Sequence, residues 1–323
     1  MKTLHIAVIA ALCAPVGAAA QPAAQDFPNK PIRIIVTTPP GSGIDFFTRT
    51  VALPLGEIYK QTMVVENRPG AGGLIGAGIV AAAAPDGYTL GAASTAHVVA
   101  PLMLARPPYR PIEDFTPIAQ MAALSFIIVV GPGVAAKSVK ELIALARAQP
   151  KKYNFGSLGN GTAAQLGAEI FNNAAAIDVV HVPFKSASDL YTAIINGDVH
   201  YATLFVPTAG VMKSGKARVI AVTSRTRVPI LSDVPTVAEA GLPGAETEAL
   251  MGFIGPAKMA PALARKICAD VVSVLRKPET RERFATQSGE PTVDTTPAGY
   301  AAKLKAEYEL YRGLLPKIGL KPQ

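Results

Sequence analysis

The chain has 323 residues, half of them hydrophobic, with only 17% charged and 28 each of glycine and proline. That is long enough for one large domain or two ordinary ones, and the composition suits a loop-rich α/β protein with a weakly charged surface. The formal net charge of +8 comes from scattered residues such as Arg33, Arg49, Lys60, Arg106 and Lys151, without a stripe or interleaved aromatics. This argues against a nucleic-acid partner and favours small anions arriving at a cleft.

In chain order, the first element is an address. Met1 and Lys2 give a positive start, residues 6–16 are apolar, and Ala18, Ala19 and Ala20 precede Gln21 in a small-residue cleavage pattern. Residues 1–20 read as a signal peptide, with the mature chain exported to the periplasm. Leu12 before Cys13 replaces the small residue that a lipid-anchor site prefers. Cleavage leaves Cys268 alone beside Ile267, Val271, Val272 and Leu275, a helical face on which it reads as core packing.

Strand and helix signals then alternate. Strands are predicted at 32–36, 63–66, 89–92, 126–130, 155–157, 179–182, 201–205 and 219–223. Helices are predicted at 45–58, 70–84, 139–147, 162–173, 188–195, 261–275 and 296–315. The run Phe126-Ile127-Ile128-Val129-Val130 suits a strand buried on both faces. Strands separated by helices imply an α/β fold with parallel sheets and crossover connections.

Catalytic motifs fail one by one. The Pro39-Pro40-Gly41-Ser42-Gly43 turn has no phosphate-loop lysine. Gly70-Ala71-Gly72-Gly73-Leu74-Ile75 carries Ile75 where a dinucleotide fingerprint needs its third glycine, so these small residues read as close helix–sheet packing. Ser157 directly follows Gly156, which breaks the nucleophile-elbow spacing. His97, His181 and His200 match no metal-ligand spacing. His181 reads as structural; His97 either lines a cleft or hydrogen-bonds at a helix start. No carboxylate pair stands out, so no metal, cofactor or enzymatic activity is expected.

What remains is a set of four turns of one design, each ending a strand and opening a helix. They are 39–43, 93–96 (Ala93-Ser94-Thr95-Ala96), 157–162 and 185–188. Glycine lets a backbone approach a ligand, serine and threonine offer hydroxyls, and unpaired amides at a helix start attract a carboxylate. Ligands of open α/β sheets sit at such strand ends. Any one turn is equally an ordinary helix cap, and Asp45 reads as a cap or loop brace rather than a ligand contact.

Several motifs together resemble the periplasmic receptors of tripartite tricarboxylate transporters, the Bug family. They are Pro28-Asn29-Lys30-Pro31-Ile32-Arg33, Glu66-Asn67-Arg68-Pro69-Gly70-Ala71-Gly72-Gly73, Pro85-Asp86-Gly87-Tyr88-Thr89-Leu90, His181-Val182-Pro183-Phe184-Lys185 and Asp233-Val234-Pro235-Thr236-Val237-Ala238-Glu239-Ala240-Gly241. The resemblance spans essentially the whole mature chain. It implies a two-lobed periplasmic-binding-protein fold of the type II, Venus-flytrap architecture. Residues 27–125 and 235–323 would form a discontinuous first lobe, and 126–234 the second. It implies capture of a small carboxylated solute and delivery to membrane permease subunits by a monomer. Gly41, Ser42, Gly43, Ser94 and Thr95 would hold the solute from one lobe; Gly159, Asn160, Gly161, Thr162, Ser186 and Ala187 would close from the other. The alternative is a sensor whose closed form docks a signalling protein. Leu204-Phe205 and Leu250-Met251 depart from the family pattern, replacing a frequent Asp-Asn and Trp-Phe. The lost acid disfavours amino-acid ligands, and the apolar replacements either suit a dicarboxylate, an aromatic acid or another organic acid, or, at Leu204, simply pack in the core.

Overall fold

A computed structural model describes residues 27–157, 159, 162–184, 186–206, 217–287, 289–320 and 322. The expected signal peptide, together with Asn160, Gly161 and Lys185, lies outside the described residues.

Ten strands are described: β1 Ile32–Val36, β2 Met63–Asn67, β3 Thr89–Ser94, β4 Phe115–Val130, β5 Asn154–Ser157, β6 Val180–Pro183, β7 Tyr201–Phe205, β8 Arg218–Val222, β9 Glu248–Pro256 and β10 Glu290–Pro291. The described helices are α1 Gly43–Tyr59, α2 Leu74–Ala81, α3 Ala96–Leu102, α4 Val139–Ala148, α5 Ala163–Ala175, α6 Ala187–Asn196, α7 Pro261–Leu275, α8 Pro278–Ala285 and α9 Pro297–Leu314. The main strand order is β2-β1-β3-β9-β4-β7-β5-β6, with β8 and β10 also pairing β4. The β1–β2, β1–β3, β5–β6 and β5–β7 pairs are parallel, as the crossover helices require.

Strand β4 organises the molecule. It pairs β9 as far as Ser125, opposite Glu248, and pairs β7 from Phe126, opposite Phe205. One continuous strand therefore serves two groups of neighbours. Most of its side chains are buried, because helices cover both faces. Its first half, with Thr116, Pro117 and Gln120, lacks a clean strand pattern, and no strand was expected there. Two register shifts against β9 accommodate these residues, and Pro117, which has no amide to donate, sits at the first. Strand β9, helix α3 and helix α8 likewise lie outside the predicted elements.

The glycine-rich segment departs from its expected continuous helix. Gly70, Gly72 and Gly73 have φ of +128°, +68° and +96°, so Ala71–Gly73 forms a separate 3-10 turn and α2 begins at Leu74. A Cβ on Gly76 would come within 2.8 Å of the Arg68 carbonyl oxygen and 3.3 Å of the Ile35 Cγ2. These glycines serve close packing of α2 on β1, as their broken fingerprint suggested. Cys268 is buried in the core of α7. Among the described residues, no helix is long and apolar enough to cross a membrane.

Candidate functional site

The β1–α1 turn is braced from inside. Ser42 caps α1, its Oγ accepting the Asp45 amide at 3.4 Å and lying 2.5 Å from Thr38 Oγ1. Asp45 Oδ2 accepts the Gly41 amide at 2.8 Å, while its Oδ1 accepts Arg49 Nε at 3.0 Å and Asn67 Nδ2 at 2.9 Å. Burial pushes the Asp45 carboxyl up. The hydrogen bonds from Gly41 and Asn67 and the Arg49 charge outweigh that effect and hold it below its usual range. Asp45 is thus the loop brace the sequence suggested. The Gly41 amide, expected to face a solute, is already taken, so Gly41 serves the turn through its φ of +80°. The next amides, of Gly43 and Ile44, are the first of α1 and have no hydrogen-bond acceptor among the described residues.

At the β3–α3 turn, Ser94 ends its strand opposite Met251. Thr95 is almost fully buried, and its hydroxyl donates to Glu307 Oε1 of α9 at 2.6 Å. Its hydroxyl therefore faces the protein interior. His97, for which two roles stood open, is buried, with Nε2 3.0 Å from the Pro111 carbonyl oxygen and its ring stacked on Tyr109. It hydrogen-bonds within the fold.

In the β5–α5 turn, Thr162 caps α5, accepting the Gln165 amide at 3.3 Å and donating to the Gly159 carbonyl at 2.8 Å. The Gly159 amide donates to Ser157 Oγ at 3.2 Å, with φ at +115°. Ser157 Oγ lies 2.7 Å from His181 Nε2, and Gln165 Nε2 lies 3.3 Å from His181 Nδ1. An amide nitrogen donates, so Nδ1 accepts, the ring proton sits on Nε2, and His181 donates to Ser157. Burial lowers the His181 pKa and favours this neutral form. Ser157 therefore meets a donor where a nucleophile needs a base. The neighbouring turn follows from β5–β6 register, Ser157 opposite Pro183. There Ser186 caps α6, accepting the Asp189 amide at 3.2 Å, and Ala187 is the first helical residue.

Two of these helix starts belong to one apolar cluster. Ala163 and Ala164 of α5 pack into the same apolar cluster as Ile44, Leu124, Phe126, Met251 and Phe205. A Cβ on Gly43 would lie 3.8 Å from Met251 Cε and 4.0 Å from Leu124 Cδ1. The Phe126 and Phe205 rings stack 4.7 Å apart at 29°. The first turns of α1, which follows β1, and of α5, which follows β5, thus both contribute to one apolar cluster around β4. Ser94 joins it through Met251. Ser186 and Ala187 follow β6, one strand beyond β5 in the sheet order.

A family model described as "Tripartite tricarboxylate transporter family receptor" matches residues 47–307. The chain belongs to this receptor family. A UPF0065 protein of Bordetella bronchiseptica is 33% identical over 326 residues, spanning 99% of this receptor and 94% of that relative. A Rhodopseudomonas palustris protein, Rpa4515, solved with adipate, is 27% identical, with a TM-score of 0.74 over 92% of this receptor and 100% of that chain. MatC from the same organism, with bound malate, is 26% identical, with a TM-score of 0.71 over 90% and 100%. The receptor has the two-lobed periplasmic-binding-protein fold. As a member of that family it is a solute-binding receptor of a tricarboxylate transporter, and not an enzyme.

The inward hydroxyl of Thr95, the partner role of Glu307 and the part that Asn67 plays in the Asp45 brace went unread in the sequence. These join residues far apart in sequence: Glu307 is 212 positions from Thr95, and Asn67 is 22 from Asp45.

Proposed function

We propose that the receptor works in the periplasm, as a monomer freed of residues 1–20. A lobe of residues 27–125 with 235–323 and a lobe of residues 126–234 would close on one carboxylate, which is then delivered to membrane permease subunits. Ser42, Gly43 and Ser94 hold the solute from the first lobe, and Asn160, Gly161 and Thr162 from the second, where Gly159, its amide taken by Ser157, shapes the turn. Gly41 and Thr95 shape the first-lobe turns, and Ser186 and Ala187 form the outer margin of the second. The observation that carries this reading is that the first turns of α1 and α5 both contribute to one apolar cluster around β4. Two positive helix ends replace the water around an anion without needing an arginine.

The cluster also bears on the solute. Leu124, Met251 and the Phe126–Phe205 stack offer no hydrogen-bonding groups to a hydroxyl-rich acid. The solute is therefore a carboxylate with an apolar body, such as an alkyl dicarboxylate or an aromatic acid. A thermal-shift series with adipate, benzoate, malate and citrate tests this, because a ligand that binds only the folded state stabilises it. Adipate or benzoate should raise the melting temperature most. A larger rise with citrate or malate defeats the apolar-body reading, and no rise with any acid defeats the site itself.

A further inference from the structure

Helix α9 carries one carboxyl that faces two ways. Glu307 is only 8% exposed, and Oε1 accepts the Thr95 hydroxyl at 2.6 Å. Oε2 is buried with no hydrogen-bond partner among the described residues, and Glu307 lines a cavity of ≈ 540 Å³ between α9 and β9 with its lead-in. Burial raises the Glu307 pKa to about 8, and the Thr95 hydrogen bond offsets this only in part. The side chain is therefore mostly protonated at neutral pH.

The other charged and titratable groups around it are occupied elsewhere or merely share the cavity. On α9, Lys303 Nζ donates to Gln120 Oε1 at 2.8 Å, while Tyr300 and Tyr311 are buried phenols held in their neutral form. On β9, Glu248 Oε1 accepts Ser125 Oγ at 3.3 Å. Glu246 and Arg225 line the same cavity. On α3, His97 is turned to the Pro111 carbonyl. Among the described residues, none of these hydrogen-bonds either Glu307 oxygen.

We propose that Glu307 is a positioning residue that fixes the β3–α3 turn through Thr95, and that the carboxyl must hold its proton while the site holds a carboxylate. Solute capture then draws a proton from solvent onto Glu307 whenever the free receptor has lost it. An ionised Glu307 would be a buried charge with a single hydrogen-bond donor. It would also repel the anion arriving beside Ser94. Favouring one protonation state by binding is equivalent to proton uptake on binding.

This rests on the carboxylate reading above, so the test has one arm with solute and one without. Purified receptor is titrated calorimetrically with adipate and with malate between pH 6 and 9, in buffers of different ionisation enthalpy. The wild type should take up about half a proton at pH 8 and lose affinity about tenfold per pH unit above that. Glu307→Gln, which keeps an oxygen for Thr95, should bind with a flat pH profile and no uptake. Glu307→Ala should bind more weakly at every pH, with Gln restoring what Ala loses. Equal pH profiles in wild type and Glu307→Gln would overturn the proposal. In the solute-free arm, hydrogen exchange of residues 94–102, corrected for intrinsic rates, is compared at pH 7 and 9. Protection should drop at pH 9 in the wild type and stay level in Glu307→Gln; matching behaviour in both would overturn the positioning role. If neither acid binds while the exchange difference is present, the positioning role stands and the solute reading falls.

Discussion

Asp45 accepts the Gly41 amide four residues behind it, at 2.8 Å, and so folds the β1–α1 turn back onto the start of its own helix. The same carboxylate is tied to Arg49 one helical turn ahead and to Asn67 at the end of β2. Its folded pKa lies below the usual 3.8, so its stabilising effect is present above pH 3.8 and is lost as pH falls through the lower folded value. Asp45→Asn removes the Arg49 charge pair and an acceptor from a buried cluster, and should cost about 1–3 kcal/mol at pH 7. The gap from wild type should narrow below about pH 4. Urea unfolding at pH 7 and pH 3 measures it, and an unchanged gap would show that Asp45 is not ionised in this role.

The glycines of α2 separate packing from helix propensity. Gly76→Ala puts a methyl 2.8 Å from the Arg68 carbonyl oxygen and 3.2 Å from Thr37 Cγ2, whereas a Cβ on Gly78 has nothing within 4 Å. The first change should destabilise by about 1–3 kcal/mol, since backbone must move. The second should stabilise by about 0.5–1 kcal/mol through helix propensity. Calorimetric melting of both variants decides, and equal effects would remove the packing explanation for this segment.

His97 sets an acid-sensitive term. Burial depresses its pKa from 6.5 to about 4, the Pro111 hydrogen bond notwithstanding. The folded state favours the neutral ring, so its stability is intact above pH 6.5 and declines as pH falls towards 4, by about 3 kcal/mol in all. His97→Gln, which has no ring to protonate, should flatten the stability profile in that window. Unfolding midpoints at pH 7, 6, 5 and 4 provide the readout. Parallel profiles would mean that another group carries the slope.

Phe205 should govern solute choice more than folding. It stacks on the buried Phe126 and is itself only half-buried. Phe205→Ala should weaken adipate binding about tenfold through lost apolar contact, while malate binding changes little. A drop of the same size for both acids would point to a general loss of lobe closure instead of lost contact with the solute body.

Much of the β-α alternation was legible because core strands such as Ile32–Val36 advertise themselves as short apolar runs between glycines and prolines. The four strand-to-helix turns were legible for a similar reason: Ser42, Thr162 and Ser186 are cap residues placed just before apolar helices. The strands that cross between the two halves were not. Gln120 interrupts the first half of β4, and its pairing to β9 is bulged, so neither face shows a clean period of two.

The sequence by itself determined the family, the turn positions and the residue types offered to a carboxylate, since caps and glycine turns are local features read from neighbouring residues. Only the tertiary structure decided which groups are free to meet it. Thr95 turns inward because Glu307, remote in sequence, lies 2.6 Å away, and the Gly41 amide is taken because Asp45 bends back on it. A hydrogen-bonding group has one set of partners at a time, and three-dimensional proximity chooses them.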